Sequence, residues 1–200
     1  MHPNSTSIDM NPIYSLLPLS TGQQIHVVKD LLNEQDCNTI ISQHKNLIPS
    51  NVTPTTVRDR EAFDDPALAE LLWSRLESFF MGNGEMSGKV KDDDGCEWEV
   101  EGLNERFRLC RYLPGGKFSP HFDGQRFASV DSCSFQTVNI YLNTVPTSNG
   151  GATRFLTIPQ KVLAQVQPVL GTAAIFRETV WHDGEELRGG EKFLLRTDVM

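Results

Sequence analysis

The chain lacks the features that mark several large classes of protein. None of its four cysteines, at positions 37, 96, 110 and 133, belongs to a CxxC pair, which excludes a zinc knuckle and a redox CxxC motif. No apolar run approaches the roughly 20 residues of a membrane span. Basic residues are also scarce, since 18 Lys and Arg face 26 Asp and Glu for a net charge of −8. We therefore expect no membrane partner and no nucleic-acid partner.

The composition is that of a globular protein. The first ten residues are polar and lack the apolar segment of a secretory signal, so we expect a cytoplasmic protein with reduced thiols. The 200 residues, 38% of them hydrophobic, suffice for one domain with a real core. Three prolines punctuate the polar N-terminal segment, and we predict a loose arm over 1–22 followed by a single domain over 23–200.

The first half of that domain reads as helical support, extending to about residue 104. A β-branched strand is predicted over 25–29, and helices are predicted near 34–46 and from Pro66 to about residue 80, where apolar residues recur on one face. Residues 82–104 are rich in glycine and acidic side chains, which is typical of a mobile surface loop or a hairpin.

From about residue 105 to residue 200 the pattern changes to short alternating runs separated by turns. Many short strands of this kind indicate a sandwich or jelly roll. With two helices placed before it, the fold class is α+β. The predicted strands are 106–112, 135–142, 162–167, 173–176 and 192–197.

Three side chains in this β block form a potential metal site. His121 and Asp123 lie two residues apart, so a strand presents both on one face. His182 follows 61 residues after His121, a separation that lets two strands of a folded sheet lie side by side. Two histidines and one carboxylate form the facial triad of non-haem Fe(II) oxygenases, which leaves open positions for a cosubstrate and O₂.

Oxygenases of this type often use 2-oxoglutarate, whose far carboxylate needs a buried cation and hydroxyl donors. Lys192 lies ten residues after His182, and Arg196 shares its face of the predicted strand. Tyr112 and Thr153 are candidate hydroxyl donors. For Arg196 three roles stay open: a second cation for the cosubstrate, a ligand for a substrate carboxylate, or an ion-pair partner of Asp198.

A longer motif contains these residues. The segment Tyr112-Leu-Pro-Gly-Gly-Lys-Phe-Ser-Pro-His121-Phe-Asp123 resembles the Y-x-x-G-x-x-(F/Y)-x-P-H-x-D segment of the prolyl 4-hydroxylase-like dioxygenases that depend on 2-oxoglutarate and Fe(II). Further matching segments follow in the same order: 138–143, 150–155, 181–184 and Lys192.

The resemblance covers roughly residues 25–200 and implies a double-stranded β-helix, or jelly roll. It implies His121, Asp123 and His182 as the catalytic iron ligands. Lys192 would pair with the distal carboxylate of 2-oxoglutarate, and Tyr112 and Thr153 would hydrogen-bond to it. The implied cofactors are Fe(II), 2-oxoglutarate and O₂, with ascorbate as a supporting reductant.

The predicted activity is oxidation of an aliphatic C–H bond by hydroxylation, desaturation or cyclisation, with release of succinate and CO₂. The substrate is expected to be a small acid or amino-acid-type metabolite, or a peptidyl residue. The ending 194–200 lacks the aromatic residues of the collagen-type enzymes and is closer to relatives with varied substrates. Two alternatives stay open: a cupin-like iron protein that works without 2-oxoglutarate, and a non-catalytic binding module on the same fold.

Overall fold

A computed structural model of the chain describes residues 10–50, 53–92 and 94–200. Its helices are α1 (Glu34–Gln43) and α2 (Pro66–Phe80), and a short 3₁₀ turn covers Thr147–Asn149. The strands are β1 (Ile13–Pro18), β2 (Gln24–Lys29), β3 (Ile48–Pro49), β4 (Asp59–Asp64), β5 (Lys89–Lys91), β6 (Glu97–Glu99), β7 (Arg106–Tyr112), β8 (Phe118–His121), β9 (Gln136–Tyr141), β10 (Thr153–Leu156), β11 (Val162–Val166), β12 (Ala173–Arg177), β13 (His182–Gly184) and β14 (Lys192–Val199). Within these described ranges, no helix is both long enough and apolar enough to cross a membrane.

Two antiparallel sheets face each other and form a jelly roll. The larger sheet has eight strands in the order β1-β2-β12-β9-β14-β7-β4-β3, and the smaller has four in the order β11-β10-β13-β8. A buried layer that includes Tyr141, Phe155 and Phe176 fills the space between them. The α+β class and the double-stranded β-helix predicted from the sequence are confirmed.

The two helices cover the outer face of the larger sheet. Asn33 and Asp36 form a capping box at the start of α1, and Asp65 caps α2 directly before Pro66; these signals fix where each helix begins. The apolar stripe of α2 packs with Leu195 and other outward-facing residues of the sheet in one continuous core. The helices therefore brace the sheet from behind and leave its inner face to the site.

Strand β14 lies near the middle of the larger sheet, between β7 and β9. Its outward residues Leu195 and Val199 join the helix-facing core, while Leu194 belongs to the core between the sheets. Because side chains alternate along a strand, Lys192 and Arg196 share the inner face with Leu194. The alternation of side chains along β14 thus places the charged groups of Lys192 and Arg196 between the two sheets.

The predicted loose arm over 1–22 is wrong for Ile13–Pro18, which form the edge strand β1 paired with β2. An edge position tolerates the proline that ends this strand, because its missing N–H faces away from the ladder. The Tyr14 hydroxyl also lies 2.9 Å from Nδ1 of the buried His26 and anchors the segment. Residues 1–9 lie outside the described residues, and the division into an arm and one domain over 23–200 stays a prediction.

The predicted strand over 25–29 is present as β2, and the support before residue 104 contains more strand than predicted, since β3 and β4 also join the larger sheet. The glycine-rich stretch 82–104 is a hairpin, in which β5 pairs with β6. The Trp98 indole donates to Asp92 across this hairpin at 2.9 Å, which ties its turn to its second strand.

Two neighbouring leucines on α2 test how much the helix–sheet interface contributes to stability. Leu72 is 0% exposed and Leu71 is 39% exposed. We expect Leu72→Ala to lower the free energy of unfolding by about 2–5 kcal/mol, because it leaves a cavity behind the sheet. Leu71→Ala should cost less than about 1 kcal/mol. Urea unfolding of both variants measures this, and equal losses would contradict the assigned packing.

Candidate active site

Strand pairing brings the three predicted metal ligands together. His121 ends β8, His182 begins β13, and the two residues are direct cross-strand partners. Asp123 lies between them, with its oxygens 3.5 Å from Nε2 of each histidine. One donor atom from each of the three residues lies within 4.8 Å of the others. Two imidazoles and a carboxylate gathered in this way suit a non-haem iron site.

Backbone carbonyls orient both imidazoles. Nδ1 of His121 lies 2.8 Å from the Ser119 carbonyl oxygen, and Nδ1 of His182 lies 2.9 Å from that of Val180. A carbonyl only accepts, so each Nδ1 carries the proton and each Nε2 presents its lone pair to the centre. Burial lowers the pKa of His182 to about 4, which keeps this ring neutral and able to ligate.

The Asp123 carboxylate is held by two donors. Thr137 donates a hydrogen bond of 2.7 Å to one oxygen, and an Arg196 nitrogen lies 2.9 Å from the other. Burial alone would raise the pKa of this carboxyl, but Arg196 and the two histidines hold it well below its usual range. Asp123 is therefore ionised and fixed in place, as an oxygen ligand of a cation must be.

Lys192 is a buried cation in the same cleft. It is 2% exposed, and its Nζ donates to the Gly151 carbonyl oxygen at 2.6 Å. The rings of Tyr112 and Tyr141 lie 4.9 Å and 5.8 Å from Nζ. Within the part of the chain that the structure describes, no carboxylate lies within ion-pair distance of it. Burial lowers the pKa of Lys192 to about 8.

Hydroxyl groups surround this lysine. Tyr112 is its cross-strand partner and accepts a hydrogen bond of 3.3 Å from Arg58, whereas the Tyr141 hydroxyl donates to Thr153 at 2.8 Å. Gly151 adopts a positive φ of 77°, a conformation that favours glycine, and this turn aims its carbonyl at Lys192. The lysine end of the cleft thus combines cations with hydroxyl groups.

The cleft that contains both groups has a volume of about 840 Å³, part of it open to solvent. His121, Asp123 and His182 line it together with Tyr112, Thr153 and Lys192. Five arginines also line it: Arg58, Arg60, Arg108, Arg126 and Arg196. A chain with a net charge of −8 therefore concentrates positive charge at this one place.

Comparison with protein families agrees with this geometry. Residues 107–197 match the model of the 2OG-Fe(II) oxygenase superfamily. These residues form a 2OG-Fe(II) oxygenase domain. The chain is accordingly a 2-oxoglutarate-dependent non-haem iron dioxygenase, and the resemblance noted in the sequence is confirmed. No curated protein sequence matches the chain.

Solved oxygenase structures share the fold. A viral collagen prolyl hydroxylase of Paramecium Bursaria Chlorella virus-1, in complex with 2-oxoglutarate, superposes with a TM-score of 0.61 at 19% identity, covering 88% of this chain and 94% of that one. A Pseudomonas putida prolyl-4-hydroxylase gives 0.60 at 17%, covering 90% and 93%. A Trichoplax adhaerens prolyl hydroxylase, in complex with a peptide, gives 0.55 at 14%, covering 88% and 83%.

All of the predicted site residues line one cleft. Arg196, however, has no hydrogen bond or ion pair with Lys192, Tyr112 or Thr153 among the described residues. Its guanidinium instead pairs with Asp123 and lies 3.0 Å from Asp198, so the ion pair is the one of its three predicted roles that matches a contact. His26 contacts Tyr14, and His44 pairs with Glu61 at 3.2 Å; neither histidine lines the cleft. His2 lies outside the described residues.

Two residues of the site were missed by the sequence analysis. Thr137 and Tyr141 lie on the inner face of β9, where they contact Asp123 and Thr153. Their alternation with apolar residues was visible in the sequence. The residues that they contact could not be predicted, because the neighbours of a side chain across a sheet depend on how the strands are paired and in which register.

The hydrogen bond from Thr137 to Asp123 should strengthen metal binding by the oxygenase, and this can be tested. We expect Thr137→Val to lower the affinity for Mn(II) by about 10-fold to 100-fold, because losing a partner of a ligating carboxylate has that effect. Thr172→Val is the matched control, since this threonine is also buried but its hydroxyl has no partner among the described residues. If both variants bind Mn(II) with equal affinity, the Thr137 hydroxyl does not support the metal site.

Proposed function

We propose that His121, Asp123 and His182 bind Fe(II) as the catalytic centre, and that Lys192 binds the distal carboxylate of 2-oxoglutarate. The observation that carries this proposal is the buried ammonium of Lys192, which has no carboxylate partner among the described residues and lies in the same cleft as the triad. Burying a charge without a partner is costly, and an anionic ligand would remove that cost. A cupin-like protein that works without 2-oxoglutarate would have no use for this cation.

The side chains of the cleft suit both Fe(II) and 2-oxoglutarate. Two imidazoles, each with its Nδ1 against a backbone carbonyl, and one ionised carboxylate form a facial set for iron, which leaves positions for other ligands. For the dianion, Tyr112 and Thr153 add hydroxyl donors beside Lys192. Arg58 contacts the Tyr112 hydroxyl at 3.3 Å, so we assign the second cation of this pocket to Arg58 instead of Arg196.

Fe(II) and 2-oxoglutarate, when bound, supply the activation of O₂ that oxidises an aliphatic C–H bond, with succinate and CO₂ as co-products. The protein supplies position and dryness. Phe118 stacks on His121 with ring centroids 3.8 Å apart, and Phe122 packs against Trp181 at 4.6 Å. These aromatic walls limit the access of water to the reacting carbon.

The reaction that we propose is hydroxylation, desaturation or cyclisation of a small acid or amino-acid-type metabolite, or of a peptidyl residue. The arginines of the cleft favour the small acid, since guanidinium groups bind carboxylates in a bidentate manner. The cytoplasm is the proposed location, supported by four free cysteines, which are typical of reducing compartments.

Turnover of 2-oxoglutarate tests the iron assignment. We expect His121→Ala to reduce succinate release at least about 100-fold, because the centre loses one of its three ligands. His44→Gln is the control, since His44 pairs with Glu61 outside the cleft and should leave turnover unchanged. Chelation of the metal should also stop turnover, and added Fe(II) should restore it.

The alternatives predict different results in this assay. A non-catalytic module would release no succinate with any metal. Undiminished succinate release by His121→Ala would place the iron elsewhere and overturn the assignment.

The protonation of Lys192 predicts how 2-oxoglutarate binding depends on pH. The pKa of Lys192 is lowered to about 8 by burial, and only the charged form attracts the dianion. Affinity should therefore be constant below pH 8 and weaken about tenfold per pH unit above it. Tyr112 stays neutral in this range, because burial raises its pKa to about 12.

Calorimetric titration of the Mn(II)-loaded protein between pH 7 and pH 9.5 measures this dependence. Lys192→Arg is the matched variant, since a guanidinium stays charged throughout and should flatten the profile. An identical pH profile for both proteins would show that Lys192 does not bind the cosubstrate.

A further inference from the structure

The inner face of the larger sheet places two arginines side by side. Arg108 on β7 and Arg196 on β14 are direct cross-strand partners, and both line the cleft. Like charges opposite each other on neighbouring strands are destabilising. The side chain of Arg108 is only 13% exposed and that of Arg196 only 15%, so water screens this repulsion little.

One buried carboxylate serves three guanidinium groups here. Asp198 is 1% exposed and lies 3.0 Å from Arg196, 3.5 Å from Arg108 and 4.0 Å from Arg126. Arg196 has a second acidic partner in Asp123, whereas Arg108 and Arg126 have no other among the described residues. The positive charge at this end of the cleft therefore exceeds the negative charge.

Arg60 adds to this excess of positive charge from β4, which pairs with β7. It pairs in register with Cys110 on β7 and lines the cleft. Its guanidinium makes no hydrogen bond or ion pair with the residues that the structure describes.

Several polar atoms of this region also lack partners. Nε of Arg126, Nε of Arg196 and Oδ1 of Asn139 are buried without a hydrogen bond to any described residue, and all three residues line the cleft. Buried polar groups are almost always satisfied, so three such atoms without a described partner, in residues that line one cleft, indicate that this region is arranged for a polar ligand.

The 2-oxoglutarate pocket does not use these cations. Lys192 and Arg196 are four residues apart on β14, which separates their Cα atoms by about 13 Å along the strand. Tyr112, Thr153 and Arg58 all belong to the lysine end, whereas Asp198 and Asn139 belong to the arginine end. Each end can therefore bind its own anion.

We infer that the arginine end is a substrate subsite for a small molecule with two or more negative charges, as carboxylates or phosphate. Arg108 and Arg126 bind the anionic groups, Arg60 supplies a further cation, and the Asn139 side-chain amide adds a polar group to the lining. This inference rests on the proposed function, since it presumes that Lys192 is occupied by 2-oxoglutarate.

The charge distribution favours a small anion over a large one. The whole chain carries a net charge of −8, which repels an extended polyanion such as a nucleic acid. The five arginines lie together in one cleft. A compact metabolite can enter this cleft without bringing more negative charge against the acidic surface.

Calorimetry on the protein loaded with Mn(II) and saturating 2-oxoglutarate tests the subsite. The probes are propane-1,2,3-tricarboxylate and glycerol 3-phosphate, with singly charged glycerate and neutral glycerol for comparison. We expect at least one multiply charged probe to bind at least about tenfold more tightly than glycerate. The better of the two probes identifies carboxylate or phosphate as the preferred group.

The variants Arg108→Gln and Arg126→Gln should each weaken that probe about tenfold and change the affinity for 2-oxoglutarate less than threefold. Arg106→Gln is the matched control, because Arg106 lies on the same strand but pairs with the exposed Asp64. It should bind the probe as the unchanged protein does. Arg126 lies on a loop with a side chain 42% exposed, so its variant tests the subsite with little risk to folding.

The outcomes separate the two proposals. If the unchanged protein binds 2-oxoglutarate but binds glycerate and both charged probes alike, the subsite is overturned and the proposed function stands. If Arg108→Gln and Arg126→Gln weaken 2-oxoglutarate as much as the probe, these arginines serve the cosubstrate and the subsite is again overturned. If the unchanged protein binds no 2-oxoglutarate, the proposed function fails and the subsite fails with it.

Discussion

The site depends on the alternation of side chains along β14. One face of this strand packs Leu195 and Val199 against the helical layer, and the other presents Lys192 and Arg196 to the cleft. A shift of one residue in register would exchange the two sets and bury the cations among leucines. The helices, which bear no chemistry, therefore fix the position of the charged groups by holding the apolar face of β14.

The cleft contains three charged regions with different functions. At one end, Lys192 has hydroxyl groups and a carbonyl around it but no carboxylate among the described residues. In the middle, Asp123 is held ionised between two histidines, a threonine and Arg196. At the other end, three arginines share Asp198. Such a separation allows two anionic ligands to lie on opposite sides of one metal centre.

Local signals in the sequence predicted the helices, the strands β7, β9, β11, β12 and β14, and the residues His121, Asp123, His182 and Lys192, but not the short strands β8, β10 and β13. The caps at Asn33 and Asp65 and the alternation on β9 and β14 are properties of short segments, which explains this success. The strand β1, the contact of Thr137 with Asp123 and the pairing of Arg108 with Arg196 were not predicted. Each depends on which distant strand lies alongside, and no short segment encodes that register.

The most direct test of this account is the visible absorption that appears when a 2-oxo acid chelates Fe(II). It is recorded without oxygen, on apo-protein to which Fe(II) and then 2-oxoglutarate are added, and it needs no substrate. We predict that the band appears with the unchanged protein and that Lys192→Met requires at least about tenfold more 2-oxoglutarate to produce it, because the buried cation is gone. Iron binding with no band on addition of 2-oxoglutarate would contradict the account.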